Sequence, residues 1–390
     1  MSGQNQRSNT ELQQRGLFSA WKIRLNTVFW VLLILGFLLS FPVINDWATW
    51  VFLVLLAVAA ILALPTAWFR KLIFRRDKER AFSARWTGSV LGWFFLLCMV
   101  TAAPIYYFAT IAELRPMLVP QAVLSDGQKT VVFQGMMHIG SENFYKSVIY
   151  DIEQALSEGY VIYYEEVQTT SPESEVYFAK FTKALTGGED LSGFYKILSE
   201  ASGLKFQKDY FTLLEADKKE HPERHVIADV DALELQAEYE RLMKTDPAFA
   251  KAHANDFKEE AGGKVSSEDL TGFVEWLRSG SESQRKLAGI VARGIITLQM
   301  SQKAEGDKKK EKGMKGFTPV ILDFRNRMLV KRILEESNDK IFITYGSEHL
   351  SGILELLQKQ NPAWKVESVK WLRTIEPSKQ YEREFLPDKT

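Results

Sequence analysis

Three long apolar stretches near the N-terminus set the strongest limit on how this chain can fold. Leu25 to Ile44, Trp47 to Phe69 and Trp86 to Ile111 contain no Asp, Glu, Lys, Arg or His. About 20 apolar residues suffice for a helix to cross roughly 30 Å of hydrocarbon, so each stretch is long enough to span a bilayer. A cleavable signal peptide has one apolar core of about 7 to 15 residues and a small-residue cleavage site, a pattern this N-terminus lacks. Residues 1–111 are therefore expected to form a membrane anchor of three retained spans, near 25–44, 47–69 and 86–111. Trp47, Trp50, Trp86, Tyr106 and Tyr107 fall near the span ends, where amphipathic rings favour the headgroup layer. With no Asp, Glu, Lys, Arg or His inside them, the spans offer no obvious carrier for protons or ions and read as an anchor.

Short loops rich in Lys and Arg stay on the cytoplasmic side. The first 24 residues carry Arg7, Arg15, Lys22 and Arg24 against Glu11, and the second connection carries Arg70, Lys71, Arg75, Arg76, Lys78, Arg80 and Arg85. The connection around Asp46 has no positive charge, and Glu113 balances Arg115 after the third span. The expected arrangement is a multi-pass protein of the cytoplasmic (inner) membrane with its N-terminus inside and residues 112–390 outside. Over the whole chain 49 Lys and Arg balance 49 Asp and Glu, so no bulk attraction to nucleic acid is expected. The single cysteine, Cys98, excludes a disulfide framework and a cysteine-based zinc cluster.

Beyond the spans the charge-rich remainder shows β-branched and aromatic runs expected to be buried strands. They are Thr130 to Phe133, Tyr160 to Tyr164 and Lys340 to Tyr345. Trp364 to Leu372 alternates more loosely and reads as an outer strand. Phe144, Val148, Ile149, Ile152 and Leu156 recur at helical spacing between the first two strands, implying a strand, helix, strand unit with a parallel strand pair. From Ser171 the pattern is helical and polar, with breaks at Gly187-Gly188, Gly262-Gly263 and Gly280. Lys303 to Lys315 is poor in apolar residues and reads as a flexible surface loop. The expected fold class is α/β: a central, partly parallel sheet formed by the two ends of residues 112–390, with a helical insertion at about 171–316.

Two histidines share a local setting although they lie far apart in the chain. Gly135-Met136-Met137-His138 and Gly346-Ser347-Glu348-His349 each follow an apolar strand and are expected to precede a helix. Ligands gather outside the carboxyl ends of strands in open α/β sheets, so both imidazoles are expected at one crevice. The strand Val161 to Tyr164 ends at the same edge in Glu165-Glu166. His138, His349 and a glutamate could hold a divalent metal with open positions, or supply acid–base chemistry without one. At 100° per residue, Arg325 points into the arc of Ile321, Leu322, Met328 and Leu329. A cation so placed needs Glu165, Glu166 or a substrate oxyanion as partner. Asp229 and Asp231 follow His225-Val226-Ile227-Ala228 and either end another strand or cap a helix. His221, His225 and His253 lie among polar residues and are expected at the surface. Nucleophile-elbow, phosphate-loop, zincin-helix and EF-hand templates are absent from the sequence.

These segments resemble the TraB/GumN/Tiki family of the erythromycin-esterase/ChaN-like superfamily. The resemblance rests on Gly135-Met136-Met137-His138, Glu165 closing Val161-Ile162-Tyr163-Tyr164, Arg325-Asn326, and Gly346-Ser347-Glu348-His349-Leu350-Ser351-Gly352, and covers roughly residues 130–375. It implies His138, Glu165 and His349 as metal ligands or catalytic groups, with Arg325 supporting them. The expected cofactor is a divalent metal (Zn, Mn or Co), and the expected catalytic residues are Glu165, or Glu166 beside it, and Arg325. The expected function is a membrane-anchored, metal-dependent hydrolase acting on a peptide or protein outside the cytoplasm. A non-catalytic protein that sequesters a peptide or haem-like ligand in the same cleft is the alternative.

Overall fold

The computed structural model describes residues 2–73, 79–186, 191–254, 272, 275, 278–304 and 314–377. The expected loop at 303–315 falls largely outside these residues, as do the glycine pairs 187–188 and 262–263. The chain divides into two compact units, one ending at Phe108 and the other beginning at Ala109.

The first unit is made of helices α1 (Ser2–Trp47), α2 (Val51–Ile73) and most of α3 (Phe82–Leu114). Ile23–Trp47, Val51–Leu72 and Phe82–Leu114 are long and apolar enough to cross a membrane. Asp46 lies within α1 and the turn falls at 48–50, so Trp47 closes the first helix instead of opening the second as expected. Ala59, Ala63 and Ala67, one helical turn apart on α2, are buried, as small residues let membrane helices approach closely. The Trp86 indole donates to the Ala60 carbonyl at 3.1 Å and the Trp93 indole to the Thr66 hydroxyl at 2.9 Å, tying α3 to α2. Leu53, Ile61 and Val100 face outward, which suits lipid as solvent.

The second unit is built on a six-stranded sheet of order β6-β4-β7-β2-β1-β8. Its strands are β1 (Leu118–Ser125), β2 (Thr130–Met136), β4 (Val161–Tyr164), β6 (His225–Ile227), β7 (Lys340–Gly346) and β8 (Lys365–Arg373), while β3 (Ile139–Gly140) and β5 (Lys205–Phe206) pair separately. β2, β7, β4 and β6 run parallel, and β1 is antiparallel to both β2 and β8, so the sheet is mixed. Along β7 the alternation of side chains separates two cores. Ile341, Ile343 and Tyr345 pack with Leu329, Ile333 and Ile353 from α9 (Arg325–Glu335) and α10 (His349–Gln360), whereas Phe342 packs with Val148 and Ile152 of α4 (Glu142–Ser157).

Three expectations need correction. β2 and β4 are parallel but do not pair, because β7 lies between them and bonds both. The insertion at 171–316 is not wholly helical: beside α5 (Pro172–Thr186), α6 (Leu191–Ser202), α7 (Ala232–Thr245) and α8 (Glu282–Ala304) it supplies β5 and the edge strand β6. The two histidine segments also differ locally. His349 opens α10, but His138 is followed by β3 before α4 begins.

Candidate functional site

The carboxyl ends of β2, β4 and β7 lie side by side and open into one cavity of about 1570 Å³. His138, Glu165, Glu166, Arg325 and His349 all line it. Chain direction at the end of β4 separates the tandem acids, since successive residues leave a strand on opposite faces. Glu165 turns inward, with its side chain 18% exposed, against Arg325 and His349. Glu166 reaches the rim, 51% exposed, with Lys208 at 3.5 Å.

Arg325 reaches the site from a segment of unusual geometry. Pro319–Phe324 forms a π-helical stretch that passes into α9 at Arg325. Such wide turns are rare, and they are frequent at functional sites. The guanidinium is buried between two carboxylates. It donates through Nε and Nη2 to Asp229, with Nε to Oδ1 at 2.9 Å, and through Nη2 to Glu165 Oε1 at 2.8 Å. Asp229 is thus the main partner of Arg325 and caps no helix, while Asp231 caps α7 in a reciprocal box with Glu234. Sequence reasoning places both aspartates at a possible strand end but does not connect Asp229 to Arg325. The signal is weak because β6 has only three residues.

Glu165 is fully engaged. Its Oε1 accepts from Arg325 and its Oε2 accepts the Gly346 N–H at 2.5 Å. Burial pushes its carboxyl up, yet the Arg325 charge, the two imidazoles and the Gly346 N–H hold it down at about 2. His349 shows the opposite outcome. Burial disfavours its charged form and outweighs the pull of Glu165, bringing the imidazole down to about 4. Its Nδ1 lies 2.7 Å from Asn326 Oδ1. That oxygen can only accept, so Nδ1 carries the proton and Nε2 keeps a lone pair toward Glu165 Oε1 at 3.7 Å. Asn326 can come this close because residue 352 is glycine, where a Cβ would run into the Asn326 amide nitrogen. Asn326 and Gly352 both fall in the motifs that carry the resemblance, but their contact with each other arises only through the packing of α9 on α10.

His138 faces the cavity, its ring tilted by 36° over Tyr195 at 4.5 Å. Desolvation by the surrounding protein pushes its imidazole below the ordinary value, with Glu165 working in the other direction. Gly135, three residues earlier, permits a close strand approach, since a Cβ there would sit 2.9 Å from the Pro120 carbonyl oxygen. Two histidines expected at the surface have buried side chains. His225 lies between Tyr164 Oη at 2.8 Å and Asp217 Oδ2 at 2.6 Å, and His253 bonds the Gly316 carbonyl at 2.9 Å among Phe249 and Phe317. Their polar neighbours in sequence hide apolar neighbours in space. His221 is exposed.

The donor set does not form a ready metal site. Among the described residues no three His, Cys, Asp or Glu side chains are grouped so as to hold a metal ion. Each oxygen of Glu165 already accepts a hydrogen bond, and a guanidinium at 2.8 Å from Oε1 competes with any dication there. What the arrangement can supply as it stands is a neutral imidazole with a fixed tautomer beside an ionised, rigidly held carboxylate. Comparisons with protein-family models, with curated proteins and with solved structures find no match.

Proposed function

We propose that this protein is a membrane-anchored hydrolase of peptide or amide bonds, working by acid–base chemistry at His349 and Glu165. The observation that carries the reading is His349, its Nδ1 held by Asn326 at 2.7 Å and its Nε2 3.7 Å from the Glu165 carboxylate, in one cavity with His138. Titratable groups pushed well away from their ordinary values in a cleft are functional-site candidates. His349 Nε2 takes the proton of an attacking water as the carbonyl carbon is approached. Glu165, on the Nε2 side of the ring, steadies the imidazolium that forms, and Asn326 keeps the ring in the working tautomer from Nδ1, the nitrogen that the carboxylate holds in hydrolytic triads. The protonated ring then delivers that proton to the leaving amine. His138, neutral and facing the same space, donates to the carbonyl oxygen as negative charge develops there. Arg325 acts through Glu165 and is a positioning residue.

The reading puts the protein in the cytoplasmic membrane with the sheet-bearing unit outside. The basic residues of the N-terminal segment and of the second connection support that orientation. The motifs shared with the TraB/GumN/Tiki family support the peptide or amide substrate. They also imply a divalent metal, and one experiment separates the two chemistries. Full-length protein in detergent micelles is offered a fluorogenic peptide and amide library with and without EDTA. Hydrolysis that survives the chelator and is lost in His349→Ala is expected. Hydrolysis abolished by EDTA and restored by Zn, Mn or Co gives the metal-dependent version. Tight peptide or haem binding with no turnover replaces the hydrolase by a sequestering protein.

A further inference from the structure

The direction of β1 fixes where the candidate site lies along the chain's exit from its last apolar helix. That helix, α3, ends at Leu114, and β1 begins at Leu118. Because β1 is antiparallel to β2, its first residue lies at the edge where β2, β4 and β7 end. That is the edge bearing His138, Glu165 and His349. Pro116, Met117, Leu118 and Val119 are themselves part of the cavity wall. The few residues from Leu114 to Met117 reach at most about 11 Å even when extended. The junction is also clamped. The Arg373 guanidinium donates to the Ala112 carbonyl in the last turn of α3, and the Thr374 N–H donates to the Met117 carbonyl at 2.9 Å. Leu114, Leu118 and Trp371 are exposed around this junction, Trp371 to 61%.

The chemistry of the wall matches this position. Met117, Leu198 and Met300 pack around Ile139, Leu204 and Ile296 into one apolar cluster, and Met117, Leu198, Ile296 and Met300 face the cavity. Met136 and Met137 extend the apolar lining toward His138. Methionines adapt to apolar chains of varied shape. The charged lining residues are Glu165 with Arg325, Glu166 with Lys208, and also Glu175, Glu215, Lys218 and Glu348. The cavity, at about 1570 Å³, is roomy. Small-molecule sites usually enclose no more than about 1,000 Å³.

We infer that the cavity takes an amphiphile, an amide carried on a long alkyl chain. The chain lies along the methionine wall and the amide is presented to His349. For the reaction the inference rests on the hydrolase reading, and for the ligand it rests on topology and lining alone. The reaction breaks the amide C–N bond with one water, giving a carboxylic acid and an amine, and needs no other reactant.

The test uses the full-length protein in phosphatidylcholine nanodiscs and a 16-carbon fatty amide bearing a mid-chain diazirine. After irradiation, peptides containing residues 116–119, 136–137 and 296–300 should carry the label, and excess palmitamide should compete it away while butyramide does not. Met117→Lys and Met300→Lys should each reduce this labelling at least fivefold while label on residues 23–72 stays constant. Label confined to residues 23–114, or labelling of the wall insensitive to chain length, overturns the inference. Wall labelling without turnover sinks the hydrolase reading alone, and turnover of soluble peptides without wall labelling sinks this inference alone.

Discussion

Arg325 is the residue on which the site's electrostatics turn. It faces two buried carboxylates, Asp229 and Glu165, so removing its charge strands both. Breaking a buried ion pair from one side costs about 3 to 5 kcal/mol. Arg325→Met should destabilise the folded second unit by that amount in urea unfolding of the micelle-bound protein, and a loss of less than about 1 kcal/mol would contradict the buried pairing. His349 sets the acid response. Its value is about 6.5 when unfolded and about 4 in the folded chain, so between these values the unfolded chain binds a proton that the folded one refuses. Stability is therefore full above about pH 6.5 and falls on acidification toward pH 4, by about 3 kcal/mol. Melting temperatures from pH 7 to 4 should drop for the wild type and drop less for His349→Gln. Activity has the same sign, with kcat/KM rising from about pH 4 as His349 Nε2 becomes free to accept a proton. Much of this centre is legible as sequence, because His138, Glu165 and His349 each close or follow a β-branched run. The contacts of Asp229 with α9 and of Asn326 with α10 are not, since no local pattern encodes them.

Among the elements, α9 and α10 show how close packing can reverse a local preference. A glycine inside a helix usually gains about 1 kcal/mol of stability on replacement by alanine. At position 352 the added methyl meets the Asn326 amide nitrogen, and Asn326 holds His349. Gly352→Ala should lower the melting temperature and reduce turnover about 10- to 100-fold, as loss of a ligand-orienting contact does elsewhere. Higher stability with unchanged turnover would show that Asn326 has no orienting role. The strands are unevenly visible in the sequence. β2, β4 and β7 contribute to the cores on both faces of the sheet and so read as continuous apolar runs. β1 escapes notice because Pro120 and Gln121 interrupt its apolar pattern, although Ala122 and Leu124 are fully buried. The π-helical turn at Pro319–Phe324 is likewise invisible to a wheel drawn at 100° per residue. The wheel nonetheless puts Arg325 on the inward side.

At the scale of the whole molecule, the three apolar helices are plain from charge alone. Their many outward-facing Leu, Ile and Val side chains suit a bilayer as solvent. The orientation is the testable part. Gln128 sits exposed at the turn between β1 and β2. In a Cys98→Ala background, Gln128→Cys should react with a membrane-impermeant maleimide in intact cells. Reaction only after the membrane is breached would reverse the orientation.

The pairing of β1 with β8 also governs the order of assembly. Ser125 and Lys365 are register partners although almost the whole second unit separates them in sequence. During synthesis at about 5 to 20 residues per second, the hairpin of β1 and β2 waits on the order of ten to fifty seconds for its neighbour. Throughout that interval its backbone donors and acceptors are open to any passing strand, the situation from which misassembly starts. Shortening the polypeptide before Lys365 should leave that edge of β1 open permanently.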